Sequence, residues 1–597
     1  MENCYNYTMC GIVGEYFFDK NYKINNFGLL LNQIKSRGPD YSGFLIKDNL
    51  ALGHSRLSII DLSSTSNQPY QDNEAQLTLV YNGCIYNYKK LREILEKKGH
   101  VFRTTGDTEV VLTSYKEWGY GCLEKFEGDF AFAIWDNKKR KLFLARDRFG
   151  VKPLYYHYSK NFFRFGSNIQ SLIVKQDINL ELDNKSLHLH FSLHSVVPAP
   201  KTIFKNINKI KPGHYMVLGD NNKLVTKQYW KLNILEHDQY ISDENEAKNL
   251  IKDSLVEAIE KRIDASDVDV GVLLSGGLDS SLVVALAIKK FPKLKTYSIG
   301  FEDDKKEKGS EFFYSDQIVN HFKTEHKKFI IGNSSVLSRL PETFKSMSEP
   351  MVAQDAVAFY MLSEIVSKEV KVVLSGQGAD EGFGGYFWYQ KIKTEQNNYS
   401  NFLKHYADRD HKEMKEFLNY RFTEDYTSSM IKKIFNKNKS SSLISKVLNY
   451  DITNLVVDDP VKRVDNMTMA WGLEARVPFL DHQLIEASAK IDPNIHLLRD
   501  GKNILKNISD NILPKDIISR KKGYFPMPAL KYIRGEYYDF VYDILTSSEC
   551  SNRNIYNTNY IKKLLKKPNE YTTAIDGNKL WHAAATELWF QQNITKK

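Results

Sequence analysis

The residues best equipped for bond chemistry in this 597-residue chain begin at Met9-Cys10-Gly11-Ile12-Val13-Gly14. A cysteine directly after an initiator methionine becomes N-terminal once that methionine is removed. Its α-amine, with a pKa of about 8, then serves as a built-in general base beside the thiol, and the thiolate is the attacking species. A lone cysteine at the head of a strand is usually just a small packed residue, so the reading depends on its companions. Arg56, in Gly53-His54-Ser55-Arg56-Leu57-Ser58, can grip a carboxylate with its planar fork. In Tyr81-Asn82-Gly83-Cys84-Ile85-Tyr86-Asn87, the Asn82 side chain and the Gly83 N–H are two convergent donors of the kind that make an oxyanion hole. Asp107 offers a carboxylate for an α-ammonium, and Arg37-Gly38-Pro39-Asp40 is a turn charged on both sides. These parts together suit hydrolysis of free glutamine.

A second chemistry-bearing segment is Gly271-Val272-Leu273-Leu274-Ser275-Gly276-Gly277-Leu278-Asp279-Ser280-Ser281, which reads strand, turn, helix. Its glycines allow close approach of the backbone to phosphates. Ser275, Ser280 and the N–H groups of the helix start can hold a pyrophosphate, and Asp279 can hold a magnesium ion bridging it. The loop lacks the GK[ST] ending of a Walker A motif. A companion loop, Val373 to Tyr386 (VLSGQGADEGFGGY), also follows a β-rich run, Val370–Leu374.

These residues require particular elements beneath them. The first third carries strand-like runs at Leu77–Tyr81, Phe130–Trp135, Lys141–Ala145 and Leu154–Tyr158. Helical patterns lie near Asn25–Ser36 and at Tyr88–Lys98, the latter with Leu91, Ile94 and Leu95 on one face. That is an α+β layered domain. Pro198-Ala199-Pro200 and Lys211-Pro212-Gly213 punctuate the next stretch of chain, and the polar Glu236–Glu246 segment reads as a linker. Beyond it a helix (Glu246–Arg262), a buried strand (Val268–Leu274), a helix (Ser280–Lys290), a strand (Lys295–Phe301) and a helix near Ser315–Phe322 alternate as a parallel α/β sheet does. From about Asn401 the chain reads as mostly helical, with Lys432–Ser442 as a short polar loop.

Composition narrows the classes further. Hydrophobic residues at 42%, charged at 26% and aromatic at 13% exclude a disordered chain, and the length excludes a single small module. No apolar run is long enough for a membrane helix, and the first residues carry no signal-like pattern, so a cytoplasmic protein is expected. Five scattered cysteines without a CxxC pair argue against both a disulfide framework and a structural zinc site. The net charge of +10 fits either RNA or an anionic substrate such as ATP.

On the four quoted motifs, Met9 to Lys211 resembles the glutaminase domain of class II (N-terminal nucleophile) glutamine amidotransferases. The resemblance implies an αββα sandwich in which Cys10 attacks the glutamine amide, Arg56 holds the α-carboxylate, Asp107 the α-ammonium, and Asn82 with Gly83 the oxyanion; Leu57, Ile59 and Cys84 join the glutamine pocket. The 271–281 segment resembles the PP-loop of ATP pyrophosphatases, which cleave between the α and β phosphates. Both halves together resemble the glutamine-hydrolysing asparagine synthetase family. That implies a glutaminase domain over 10–235 and a parallel α/β synthetase domain with a helical C-terminal part over 236–597. ATP would contact Leu273, Ser275, Gly276, Gly277, Asp279, Ser280, Ile299, Ser375, Gly376 and Lys522, with Mg²⁺ on Asp279 and Asp380. Ammonia freed at Cys10 would reach an acyl-adenylate through an internal tunnel. Val464-Asp465-Asn466-Met467 and Leu473 to Asp481 match the C-terminal segment of the family, where Glu474, Arg476 and Asp481 suit a structural ion-pair network.

Three departures matter. Met1–Thr8 precede Met9, so Cys10 is N-terminal only if Met9 is the true start, the preferred reading, or a short propeptide is removed. Cys84 stands where many asparagine synthetases have a glutamate, and packing is its expected role. Gln377 replaces the glutamate of SGEGSDE, at the step forming the intermediate, and glutamine can neither act as a base nor carry the charge. Either the acceptor differs or another group, such as Glu381, takes the proton. Asn82 to Tyr88, Val197 to Ile203, Ser348 to Met351, Asp458 to Asn466 and Lys522 to Phe525, together with Cys84 and Gln377, resemble a narrower group, the N-acetylglutaminylglutamine amidotransferases. The acceptor implied is the C-terminal carboxylate of that blocked dipeptide, and the product a neutral osmoprotectant. Aspartate is the alternative acceptor, and an RNA-acting PP-loop protein the alternative of another class. A degenerate, non-catalytic scaffold is a third reading. Expected partners are glutamine, ATP and the acceptor, with neither nucleic acid nor membrane, and a homodimer is an admissible assembly.

Overall fold

The computed structural model describes residues 10–236, 239–303, 309–393, 398–438, 440, 442–520 and 527–594. Its N-terminal part is built on two six-stranded antiparallel sheets. In one, strand Gly11–Phe17 lies between Leu50–Arg56 and Phe162–Gly166; in the other, Leu77–Ile85 pairs with Gly128–Asp136, which pairs with Lys141–Arg146. Alternation along the strands sorts their side chains into layers. Ile12, Leu52 and Phe165 of the first sheet meet Val80, Ala133 and Leu144 of the second in the central core. The outer face of the second sheet, with Leu79, Phe130 and Phe132, takes Leu91 and Leu95 of helix Tyr88–Lys97 and Val110 and Val111 of helix Asp107–Trp118. Val13 and Ala51 on the outer face of the first sheet take Phe27, Leu30 and Leu31 of helix Phe27–Asn32. Helix, sheet, sheet, helix is the layering of an N-terminal-nucleophile sandwich.

The second part holds a five-stranded, all-parallel sheet in the order Glu325–Ile331, Lys295–Phe301, Val270–Leu273, Val372–Leu374, Glu474–Arg476. After Val270–Leu273 the chain goes to one side, and Val372–Leu374 enters on the other. Such a reversal opens a crevice at the carboxyl ends of the two strands, where ligands bind in open α/β sheets. Helices Glu244–Asp264 and Leu278–Ala287 cover one face through Ile251, Leu255, Leu282 and Leu286, and the chain beyond Asn401 is largely helical. Among the described residues no helix is long and apolar enough to cross a membrane.

The structure corrects three local readings. Lys432–Lys437 belongs to helix Tyr426–Lys437 rather than to a polar loop: the Asp425 carboxylate caps its start, and Ile431 and Phe435, four residues apart, anchor it in the core. The linker is shorter than Glu236–Glu246, because Asp243 caps a helix that begins at Glu244. Ile94 is exposed, whereas Leu91 and Leu95 are buried.

Candidate functional site

Cys10 immediately precedes strand Gly11–Phe17 and is half-buried, where the Leu57 N–H donates to its Sγ at 3.4 Å. Burial pushes the thiol up to about 11, partly offset by the Leu57 contact and by Arg56, while Glu474 and Asp107 add to the rise. At neutral pH this is a protonated thiol, and attack requires a base within reach. Asn82 is buried on strand Leu77–Ile85, and its Nδ2 has no acceptor among the described residues. A buried amide donor without a partner is costly and rare, and an oxyanion is the partner it is fitted to take. Gly83 beside it is obligatory, since a Cβ there would lie 2.2 Å from the Asp129 carbonyl oxygen.

Asp107 occupies the first position of helix Asp107–Trp118 and reaches back to the same strand, accepting from the Tyr81 hydroxyl at 2.7 Å and the Ile85 N–H at 3.0 Å. Burial lifts its carboxyl to about 6 against those two donors. Arg56 ends strand Leu50–Arg56, and its guanidinium donates to Ser63 O at 2.7 Å, to Asn67 Oδ1 at 2.8 Å and to the Asp61 carbonyl. A cavity of about 340 Å³ opens there, walled also by Asp40, Tyr41, Ser58 and Lys371. Cys10, Asn82 and Asp107 are not in that wall; Arg56 joins them through Leu57, its neighbour in sequence and the Cys10 hydrogen-bond donor. The Leu57 and Ile59 side chains pack with Ile251 and Leu255 of the second part. Cys84 is 1% exposed in the apolar cluster of Tyr81, Ile85 and Tyr86, with its thiol pushed far up by burial.

The two glycine-rich loops meet at the crevice. Leu273 ends its strand, and Gly276 has φ +76°, with Ser315 N only 2.5 Å from where a Cβ would stand. The loop closes on itself: the Gly277 N–H donates to Ser275 Oγ at 3.3 Å, and the Ser275 and Ser280 hydroxyls are 3.1 Å apart. Helix Leu278–Ala287 starts at Gly277 without a side-chain cap, so its first N–H groups are not satisfied by a capping side chain. The second loop follows the adjacent parallel strand, the Ser375 N–H donates to Arg476 O, and a Cβ on Gly376 would lie 3.1 Å from Asp279 Cβ. Leu273 and Ile299 belong to one apolar cluster at this edge. Gln377 is half-exposed on the turn before helix Ala379–Phe383, and the Tyr386 hydroxyl donates to Glu381 at 2.5 Å. Lys522 lies outside the described residues, as do Met1–Met9.

Asp279 and Asp380 come together here, a carboxylate pair of the kind a hard divalent cation takes. Lys502 stands between them, 2.5 Å from Asp279 and 2.7 Å from Asp380. Burial works against its charge, but the two carboxylates prevail and hold the ammonium above the ordinary lysine range. Sequence reading missed Lys502, since a lysine more than two hundred residues downstream of the loop carries no local signal. It also missed the ion pairs joining the two halves: Arg37–Asp465 at 3.0 Å, Lys209–Asp458 at 2.6 Å, Lys152–Glu474 at 3.6 Å and Lys371–Asp40 at 2.7 Å. Glu474 and Arg476 pair at 2.6 Å, whereas Asp481 pairs with Lys261 and Arg262.

Residues 9–230 match the glutamine amidotransferase domain family, and residues 250–591 match the asparagine synthase family. Asparagine synthetase (glutamine-hydrolyzing) 1 of Bacillus subtilis is 30% identical over 99% of this chain and 98% of its own length. Asparagine synthetase (glutamine-hydrolyzing) 3 of the same organism is 32% identical over 87% of each chain. The two folds, matched in order and along nearly the full length, place the chain in the glutamine-hydrolysing asparagine synthetase family, whose members are ATP-using, glutamine-dependent amide ligases.

Proposed function

We propose that this ligase amidates a carboxylate other than the aspartate side chain, in the first place the C-terminal carboxylate of N-acetylglutaminylglutamine. The observation that carries the reading is Gln377, on the turn between the Ser375-Gly376 loop and helix Ala379–Phe383. A neutral amide there can hydrogen-bond an acceptor but cannot take a proton from ammonia, which leaves Glu381 of the same loop to take it, since Asp380 is the proposed magnesium ligand.

In this scheme residues 10–235 form the glutaminase unit and 236–597 the synthetase unit. The Cys10 thiolate attacks the glutamine side-chain amide, and its free α-amine takes the thiol proton, because a thiol held at about 11 does not ionise unaided. A start at Met9 with removal of that methionine frees the amine. Asn82 Nδ2 and Gly83 N–H receive the oxyanion, Arg56 and Asp107 hold the two ends of glutamine, and Leu57, Ile59 and Cys84 shape the pocket. In the second unit the acceptor carboxylate attacks the α-phosphate of ATP, pyrophosphate leaves, and ammonia displaces AMP from the acyl-adenylate. Ser275, Gly276, Gly277 and Ser280 hold phosphate oxygens, Ser375 and Gly376 the adenylate, Leu273 and Ile299 the adenine, and Lys522 the leaving pyrophosphate. Asp279 and Asp380 would hold Mg²⁺, which neutralises phosphate charge when bound. Catalysis in the cytoplasm fits these substrates.

The test is mass spectrometry of the products after incubation with ATP, Mg²⁺, glutamine and either the blocked dipeptide or aspartate. Equal amounts of dipeptide amide, AMP and glutamate are expected, from protein whose intact mass begins at Cys10. Asparagine with no dipeptide amide would overturn the acceptor and establish the second reading, aspartate, which the identity over 99% of the chain to the Bacillus subtilis enzyme favours.

A further inference from the structure

Outside both sites, three side chains from distant parts of the chain converge. His194 follows helix Asn184–Ser192, Asp408 lies between helices Tyr399–Tyr406 and His411–Phe417, and His582 is on helix Lys579–Asn593. One ligand atom from each lies within 4.8 Å of the other two. His194 Nδ1 is 3.5 Å and His582 Nδ1 is 3.4 Å from Asp408 Oδ2. Charge-assisted hydrogen bonds are shorter, roughly 2.7–2.9 Å. Ligand atoms about 2.0–2.1 Å from a tetrahedral zinc ion stand about 3.3 Å apart, close to the two nitrogen–oxygen separations here. The two imidazoles approach from different directions, with ring centroids 5.5 Å apart and planes 66° to one another.

The surroundings favour a cation. The Asp408 side chain is fully buried, and neither oxygen accepts a well-formed hydrogen bond among the described residues. A carboxylate so placed needs a positive charge beside it, from an imidazolium or from a bound cation. Arg409, the adjacent cation, turns elsewhere: it donates to Lys579 O at 3.0 Å and lies over the Phe417 ring. His194 keeps 18% of its side chain exposed, which gives an entry path. A neighbouring trio, His188, His411 and Asp425, lacks these properties. His188 Nε2 and His411 Nδ1 already share a hydrogen bond at 3.1 Å, and Asp425 accepts from Ser428 N and Oγ.

We propose that His194, Asp408 and His582 bind a zinc-class divalent cation, with the fourth coordination position facing the exposed edge of His194. The ion would pin the segment after Ser192 to the C-terminal helix Lys579–Asn593, a bond distinct from both reaction sites.

The full-length protein, stripped with a chelator, reloaded with Zn²⁺ and desalted, is read by elemental analysis; a Co²⁺-loaded sample is read by visible absorption. One equivalent of zinc and the d–d bands of tetrahedral cobalt are expected. His194→Gln should lose both while keeping the melting temperature of the stripped wild type, and Asp408→Asn should also lose both. His411→Gln should retain both. Less than a tenth of an equivalent in the wild type, or equal retention by the wild type and His194→Gln, would overturn the site, and so would loss in His411→Gln alone.

Discussion

The two halves of this enzyme prepare for charge in opposite ways. In the glutaminase half the proposed acting groups are sunk in an antiparallel sandwich, and burial dominates their chemistry: it raises Cys10 to about 11 and Asp107 to about 6, and Asn82 Nδ2 has no acceptor among the described residues. In the synthetase half the proposed acting groups sit at the open edge of a parallel sheet. Backbone N–H groups at a helix start await an anion, and Lys502 bridges the carboxylates Asp279 and Asp380. The first half withholds one partner, which in the proposed scheme is supplied by a transient oxyanion. The second presents standing charges, which in the proposed scheme a phosphate and its metal rearrange. The lesson is that a transient charge is met by rigid, unsatisfied donors, whereas a standing charge is met by backbone and by exchangeable counter-charges.

The comparison breaks most sharply if each half is disabled alone. Cys10→Ala should lower glutamine-driven amide synthesis by on the order of 10³-fold or more while changing ammonia-driven synthesis by less than about threefold. Asp279→Ala should abolish both, together with AMP formation. Equal loss from both nitrogen sources in Cys10→Ala would mean that the halves are not chemically separate.

Asn82→Ala isolates the unsatisfied donor. Glutaminase kcat should fall by about 10²–10³-fold with KM little changed, as for other oxyanion donors. Because Nδ2 has no acceptor in the free protein, stability should hardly move; a large loss of stability would show that the group is structural.

Much of this arrangement was legible from sequence because it is local. Each nucleotide loop lies within a dozen residues of its strand, and the strand, turn and helix that set Ser275, Asp279 and Ser280 are contiguous. Asn82 and Gly83 likewise share one strand. What could not be read is what tertiary folding brings together. Lys502 looks like any lysine at the start of a helix, yet it closes a triad with Asp279 and Asp380. The helix over Lys432–Lys437 was hidden by its polar composition, although Ile431 and Phe435 suffice to bury one face. His194, Asp408 and His582 carry no spacing signal at all.

Lys502→Met tests the exchangeable counter-charge. Removing the ammonium takes a counter-charge from two carboxylates in a partly buried site, at a cost of about 2 kcal/mol after allowance for their exposure. Urea unfolding without Mg²⁺ should show that loss, and millimolar Mg²⁺ should restore most of it in the variant while leaving the wild type nearly unchanged. Insensitivity of the variant to Mg²⁺ would remove the carboxylate pair as the metal's seat.

The smallest expected effect is a pH dependence confined to one half. Asp107 has its carboxyl raised to about 6 by burial, so in the free enzyme it is neutral below that pH and anionic above it. Only the anion attracts the α-ammonium of glutamine. Because kcat/KM reports the free enzyme, its value for glutamine should already decline below the α-amine's pKa of about 8 and steepen below pH 6, where Asp107 adds a second limb. Asp107→Asn should lower the plateau and abolish this limb. Ammonia-driven synthesis, expressed per free NH₃, should lack the limb in both proteins, since no step in the synthetase half passes through Asp107. A limb of equal size in both reactions would trace the titration to a group the halves share, and Glu474, which faces Cys10 and Asp107 from the synthetase sheet, would be the first to replace.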